Sequence, residues 1–171
     1  NFGILILATL SQFIGGGALI YLIPRIGEHK IALPSLLWTG ISALATSVLL
    51  NLLNAPFIGF TILLGILQSL FVLQQMILLG KEKIESYQIL LFTQSISSLA
   101  FVGLFYALTD WGILAFVSGQ LFSFVITAGV GFYLTPSAWK NMRFQLSKDD
   151  LSQTAKLGGY AQLGNIFHLG N

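Results

Sequence analysis

The chain has 171 residues, of which 55% are hydrophobic and 8% charged, and its mean hydropathy is +0.83. Soluble domains carry about 25% charged residues, so the composition excludes one and points to an all-α integral membrane protein. The net charge of +2 comes from eight basic residues set beside apolar runs, a topogenic pattern rather than a nucleic-acid-binding face, and the absence of Cys excludes disulfides and thiolate metal sites.

Residues 2–23 form an uncharged run long enough for a first span, closed by Pro24 and Arg25. Gly15-Gly-Gly17 in its middle suits either close approach of a neighbouring helix or a local unwinding on a substrate path. Between 31 and 80 there is no Lys, Arg, Asp, Glu or His. A bilayer core takes about 20 apolar residues per helix, so this stretch reads as a hairpin of two spans, 33–53 and 57–79. Pro56 separates them, with Asn51 and Asn54 suited to the turn, and Pro34 suits the first turn of its helix. A charged loop at 81–85 leads to a span at 86–108, which closes at Thr109-Asp-Trp-Gly112; Trp111 there suits the interfacial belt. A fifth span is expected at 114–134, ended by Thr135 and Pro136. An amphipathic polar segment follows at 136–156, and its Ser147-Lys-Asp-Asp150 has the form of a capping box. The next span should start at 157 and run to the last residue. Both ends fall inside apolar patterns, so the chain reads as a fragment of a larger protein, a partial bundle of five spans and the start of a sixth.

Arg25 and Lys30, then Lys81 and Lys83, then Lys140, Arg143, Lys148 and Lys156 occupy alternate loops. The two intervening tips, 51–57 and 109–112, carry no basic residue. Under the positive-inside rule the loops at 24–32, 80–85 and 136–156 are cytoplasmic and the Asn1 end is extracytoplasmic.

The spans contain no Asp, Glu, Lys or Arg, so no buried carboxylate is placed for ion coupling and no acid/base pair for catalysis. His29 and His168 lack ligand spacing, and no metal, cofactor or catalytic residue is expected. The spans instead carry uncharged polar stripes at helical spacing. Ser35, Thr39, Ser42 and Thr46 share one face; Thr61, Gly65, Gln68 and Gln75 another. Gln94 and Ser98 mark a third face, and Gln120, Ser123, Thr127 and Gly131 a fourth. Such stripes serve as interhelical hydrogen bonds or line a hydrated cavity for a polar neutral substrate such as a sugar.

Several stretches resemble one family. Asn1-Phe-Gly-Ile-Leu5 and Phe13-Ile-Gly-Gly-Gly-Ala-Leu-Ile-Tyr-Leu-Ile-Pro-Arg25 are similar to the second helix of bacterial polysaccharide and O-antigen flippases. Leu79-Gly-Lys-Glu-Lys-Ile-Glu-Ser-Tyr-Gln88 resembles the loop between their helices four and five, and Leu157-Gly-Gly-Tyr-Ala-Gln-Leu-Gly-Asn-Ile166 the entry of helix seven. The resemblance covers essentially the whole chain. It implies a member of the multidrug/oligosaccharidyl-lipid/polysaccharide exporter superfamily lacking its first helix and second bundle. The implied substrate is a polyprenyl-pyrophosphate-linked oligosaccharide, moved across the inner membrane for cell-surface polysaccharide such as lipopolysaccharide. Membrane lipids and other polysaccharide-assembly proteins are the implied partners. On this reading Gln12, Gln68, Gln75, Gln94 and Gln120 are candidate substrate contacts within the spans. Arg25, at the membrane boundary, is either a pyrophosphate ligand with a fixed donor fork or a positive-inside anchor. A drug/cation antiporter of the same superfamily, a membrane enzyme acting on the same lipid carrier, and a scaffold remain the alternatives.

Overall fold

The computed structural model describes residues 2–55, 57–140, 152 and 156. It is helical throughout, with no strand among the described residues. The elements are α1 (Phe2–Gly15), α2 (Ala18–Ile26), α3 (Glu28–Leu52), α4 (Ile58–Gly80), α5 (Ile84–Leu108), α6 (Ile113–Leu134) and α7 (Pro136–Lys140). The expected capping box at 147–150, the remainder of the polar segment and the span from 157 lie outside the described residues.

Among the described residues four helices, α3 to α6, are long and apolar enough to cross a membrane, rather than the five expected. The difference lies in 2–23, which is two short helices and not one. A side chain at Gly16 would meet the Gln12 carbonyl oxygen, in the turn before it, at 2.6 Å, and one at Gly17 would meet nothing within 4 Å. This pair therefore marks a break in the helix, not the close approach of a neighbour. At about 1.5 Å per residue, the 14 residues of α1 fall short of a bilayer core about 30 Å thick.

Two prolines also sit differently from expectation. Helix α2 continues through Pro24 to Ile26, the Gly27 N–H bonds the Ile23 carbonyl at 3.0 Å, and the Gly27 φ of 82° then turns the chain out of the helix. Helix α3 starts at Glu28, ahead of the expected 33, so Pro34 lies inside the helix and not in its first turn. The Lys30 carbonyl thereby loses its helical donor near the charged end of α3, where water can replace it.

Backbone bonds close the two hairpin turns that follow. Ala55 N–H reaches the Leu50 carbonyl at 3.0 Å around Asn54, and Lys83 N–H reaches the Leu78 carbonyl at 2.9 Å around Glu82. Asn54 and Glu82 both have positive φ, 50° and 56°, as the residue after a helix end does in this motif. Asn tolerates that geometry; Glu occupies it without the usual glycine.

The bundle is organised on α4, which touches α1, α2, α3, α5 and α6. Leu19, Leu22, Ile23, Ile31, Ala32, Leu73, Ile77 and Ala138 form a core joining α2, α3, α4 and α7 at the basic end. Lipid is as apolar as these side chains, so dispersion and close fit hold the core, not transfer out of water. Beside it, Lys81 Nζ donates to Glu28 Oε1 at 2.7 Å and to Ser137 Oγ at 2.9 Å, tying the end of α4 to the starts of α3 and α7. Helix α5 is peripheral and packs chiefly on α6; its apolar window is only 6% buried, against 44% for α4.

Candidate functional site

The polar residues of α1, α4, α5 and α6 divide into those used between helices and those left on an open face. On α4, Gly65 and Ser69 face α1: Gly65 lies against Leu7, and Ser69 Oγ donates to Ser11 Oγ at 2.8 Å. The α6-facing residues of α4 are Phe71, whose ring meets Phe124 edge-on at 5.9 Å, and Gln74, whose Nε2 donates to the Ala128 carbonyl at 3.1 Å. Successive helical residues turn by about 100°, which sets Gln68 and Gln75 between these two faces.

On α6, Phe124, Ala128 and Gly131 face α4. Ser123 faces α5, sharing a 2.8 Å hydrogen bond with Ser97, and Gly119 lies on the Val102 backbone. Between them fall Gln120, whose Nε2 donates to Ser98 Oγ at 2.6 Å, and Thr127, whose hydroxyl donates to Gln94 Oε1 at 2.7 Å. Helices α1, α4 and α6 run in the same direction, as the successive pairs Gly3/Thr61, Leu7/Gly65 and Ser11/Ser69 show for the first two, and Phe71/Phe124 and Gln74/Ala128 for the second two. Parallel helices present their in-between faces to the same side. Gln68, Gln75, Gln120 and Thr127 therefore line one concave face, flanked by α1 and α5. On α1, the Leu10 carbonyl accepts from Trp38 Nε1 of α3 at 2.8 Å, and Gln12 is half-buried, one residue beyond the Ser11 that faces α4.

The sequence-derived candidates thus separate. Gln68 is half-buried and Gln75 only 9% exposed, yet among the described residues neither amide makes a hydrogen bond. Gln94 and Gln120 are part of the α5–α6 interface; the Gln94 amide nitrogen and the Gln120 carbonyl oxygen keep free capacity. Arg25 is exposed in the last turn of α2, at the basic end where Ile23 packs on Gly80, and is not grouped with the amides. The α3 stripe is buried packing: the Thr39 and Thr46 hydroxyls donate to the Ser35 and Ser42 carbonyls of their own helix at 2.9 and 2.8 Å.

No protein family, curated protein or solved structure matches the chain.

Its chemistry is therefore read from the face itself. Unpaired amides in apolar surroundings require a polar partner, because an amide left unbonded in hydrocarbon costs several kcal/mol (about 4–8 on an alkane scale). Carboxamides and hydroxyls donate and accept without charge, which suits a neutral polyhydroxyl group over an ion. Among the described residues no cluster of His, Asp or Glu could hold a metal. One amide was missed in the sequence. Gln74 is fully buried, pressed on Gly131, and its Oε1 is the one buried side-chain atom without a partner among the described residues. Adjacent glutamines look alike in a sequence; only the position of α6 distinguishes them.

Proposed function

We propose that the chain is the first helical bundle of a flippase that moves a polyprenyl-pyrophosphate-linked oligosaccharide across the bacterial inner membrane by alternating access. The observation that carries this reading is the open face with the unpaired amides of Gln68 and Gln75, set in helices long enough to cross a bilayer. A sugar offers both donors and acceptors to such groups. The resemblance to polysaccharide flippases supplies the class of lipid. The bundle acts without covalent chemistry, and a second bundle supplies the opposite wall of the path. Arg25 stands at the basic end, where a pyrophosphate waits before translocation and where a bidentate guanidinium would hold it.

The test is transport in vesicles carrying the protein, loaded with a fluorescent lipid-linked oligosaccharide and probed with an impermeant quencher. Protein-dependent movement of the sugar between leaflets is expected; no movement beyond that of empty vesicles would sink the reading. Orientation is tested separately. Single cysteines at Ala55 and Thr109 should react with an impermeant thiol reagent in intact cells, and one at Lys83 should not. Labelling at Lys83 alone would invert the topology.

A further inference from the structure

A cavity of about 250 Å³ opens between the first turns of α4 and α6, at the end of the bundle opposite the basic loops. Phe57, Phe60 and Leu64 line it from α4, and Ile113, Leu114 and Val117 from α6. Among the described residues Thr61 is the only polar side chain on its wall, and its hydroxyl makes no hydrogen bond there. A buried water needs two to four polar partners, and a single hydroxyl does not hold a chain of them. Its lining suits hydrocarbon better than water.

The cavity lies on the same side of α4 as the amide face. Leu64 precedes Gln68 by one helical turn, about 6 Å along the axis, and Thr61, Gln68 and Gln75 follow one another at seven-residue steps on the same side of α4. The site is thus apolar at the tip end and hydrogen-bonding toward the basic end. We infer that the cavity seats the hydrocarbon chain of the transported lipid while its polar head meets Gln68 and Gln75, so that the bundle captures the lipid in the orientation it has in the cytoplasmic leaflet. This rests on the flippase reading and its topology. An amphiphile bound the other way round would put its head against Phe60 and Leu64 and leave both amides unpaired.

The experiment uses a polyprenyl phosphate carrying a photoactivatable diazirine, either at the far end of the chain or in the isoprene unit next to the phosphate, added to vesicles carrying the protein. The far-end probe should attach to 57–64 and 113–117 and the near-head probe around 68–75. Both should exceed attachment to Phe92 and Leu99, which are exposed on the outer side of α5. Val117→Trp, which fills the cavity, should remove the far-end adducts, whereas Leu104→Trp on exposed α5 surface should leave them. The reverse order of adducts, or equal labelling on α5, overturns the inference. So does competition by phosphatidylglycerol as strong as by unlabelled polyprenyl phosphate, since the cavity would then be a general lipid site. Intact transport with uniform labelling sinks this inference alone, whereas ordered labelling without transport sinks the flippase reading and leaves a lipid-binding site.

Discussion

Gly119→Leu should separate α5 from α6 and destabilise the bundle by about 3 kcal/mol or more, at the upper end of what overpacking costs. A Cβ at position 119 would lie 2.7 Å from Val102 Cα and 2.8 Å from Val102 N. Those are backbone atoms of a helix, and they cannot turn aside as a flexible side chain would. The helices would have to move apart by the width of a methyl group or more. With that go the Ser97–Ser123 and Gln94–Thr127 hydrogen bonds, which close the interface about one and two turns further along α6. Interhelical hydrogen bonds in membranes contribute about 0.6 kcal/mol each, so most of the loss is packing. Gly129→Leu is the matched control. Gly129 is exposed on the same helix with nothing within 4 Å of its added Cβ, so only helix propensity changes, and in the favourable direction. Reversible unfolding in mixed micelles should show a large drop for the first variant and none for the second. Equal stability of the two would mean that α5 and α6 do not meet as described.

The contrast between these glycines shows where a membrane sequence stops being informative. Spans α3 to α6 were legible because an uncharged run of bilayer length has few alternatives, and because charged or Pro- and Gly-containing loops punctuate it. The break in 2–23 was not legible. Gly15-Gly-Gly17 permits both a close contact and a turn, and the choice depends on which helix lies beside it. Close contacts instead fall at single glycines, Gly65, Gly80 and Gly119, and of these only Gly65 stood in a stripe at helical spacing. Pro24 and Pro34 misled for a related reason. A helix near the membrane boundary tolerates the lost hydrogen bond that would end it elsewhere, because water is close enough to replace the donor.

The polar faces were legible as faces and blurred in what each one meets. Helical spacing placed Gln68 and Gln75 together, and the fold keeps them together and unbonded. The same spacing did not reveal that Gln94 and Gln120 spend one end of their amides on Thr127 and Ser98. Whether a polar stripe is glue or lining depends on the partner helix: α3 turns its hydroxyls into packing, and α4 keeps two amides in reserve. Sequence periodicity identifies a face but not what the face meets.

That reserve leads to the second large effect. On the proposed flippase reading, Gln68→Leu combined with Gln75→Leu should leave the bundle folded and cost transport about thirtyfold in apparent affinity for the lipid-linked oligosaccharide. Neither amide bonds to the protein among the described residues, so the double variant breaks no hydrogen bond there, and leucine suits a membrane helix at least as well. The loss falls on the substrate. Two hydrogen bonds to a neutral sugar are worth about 1 kcal/mol each, together about 2 kcal/mol, and 1.4 kcal/mol is a factor of ten. Gln74→Leu, one residue away, should behave in the opposite sense. It removes the Nε2 bond to the Ala128 carbonyl, so it alters how α4 and α6 hold together while leaving the open face intact. Concentration dependence of transport separates these cases: the double variant should raise the substrate level needed for half-maximal rate, and Gln74→Leu should leave that level unchanged. If the double variant transports with unaltered concentration dependence, Gln68 and Gln75 do not touch the sugar, and the open face of the bundle serves some other contact.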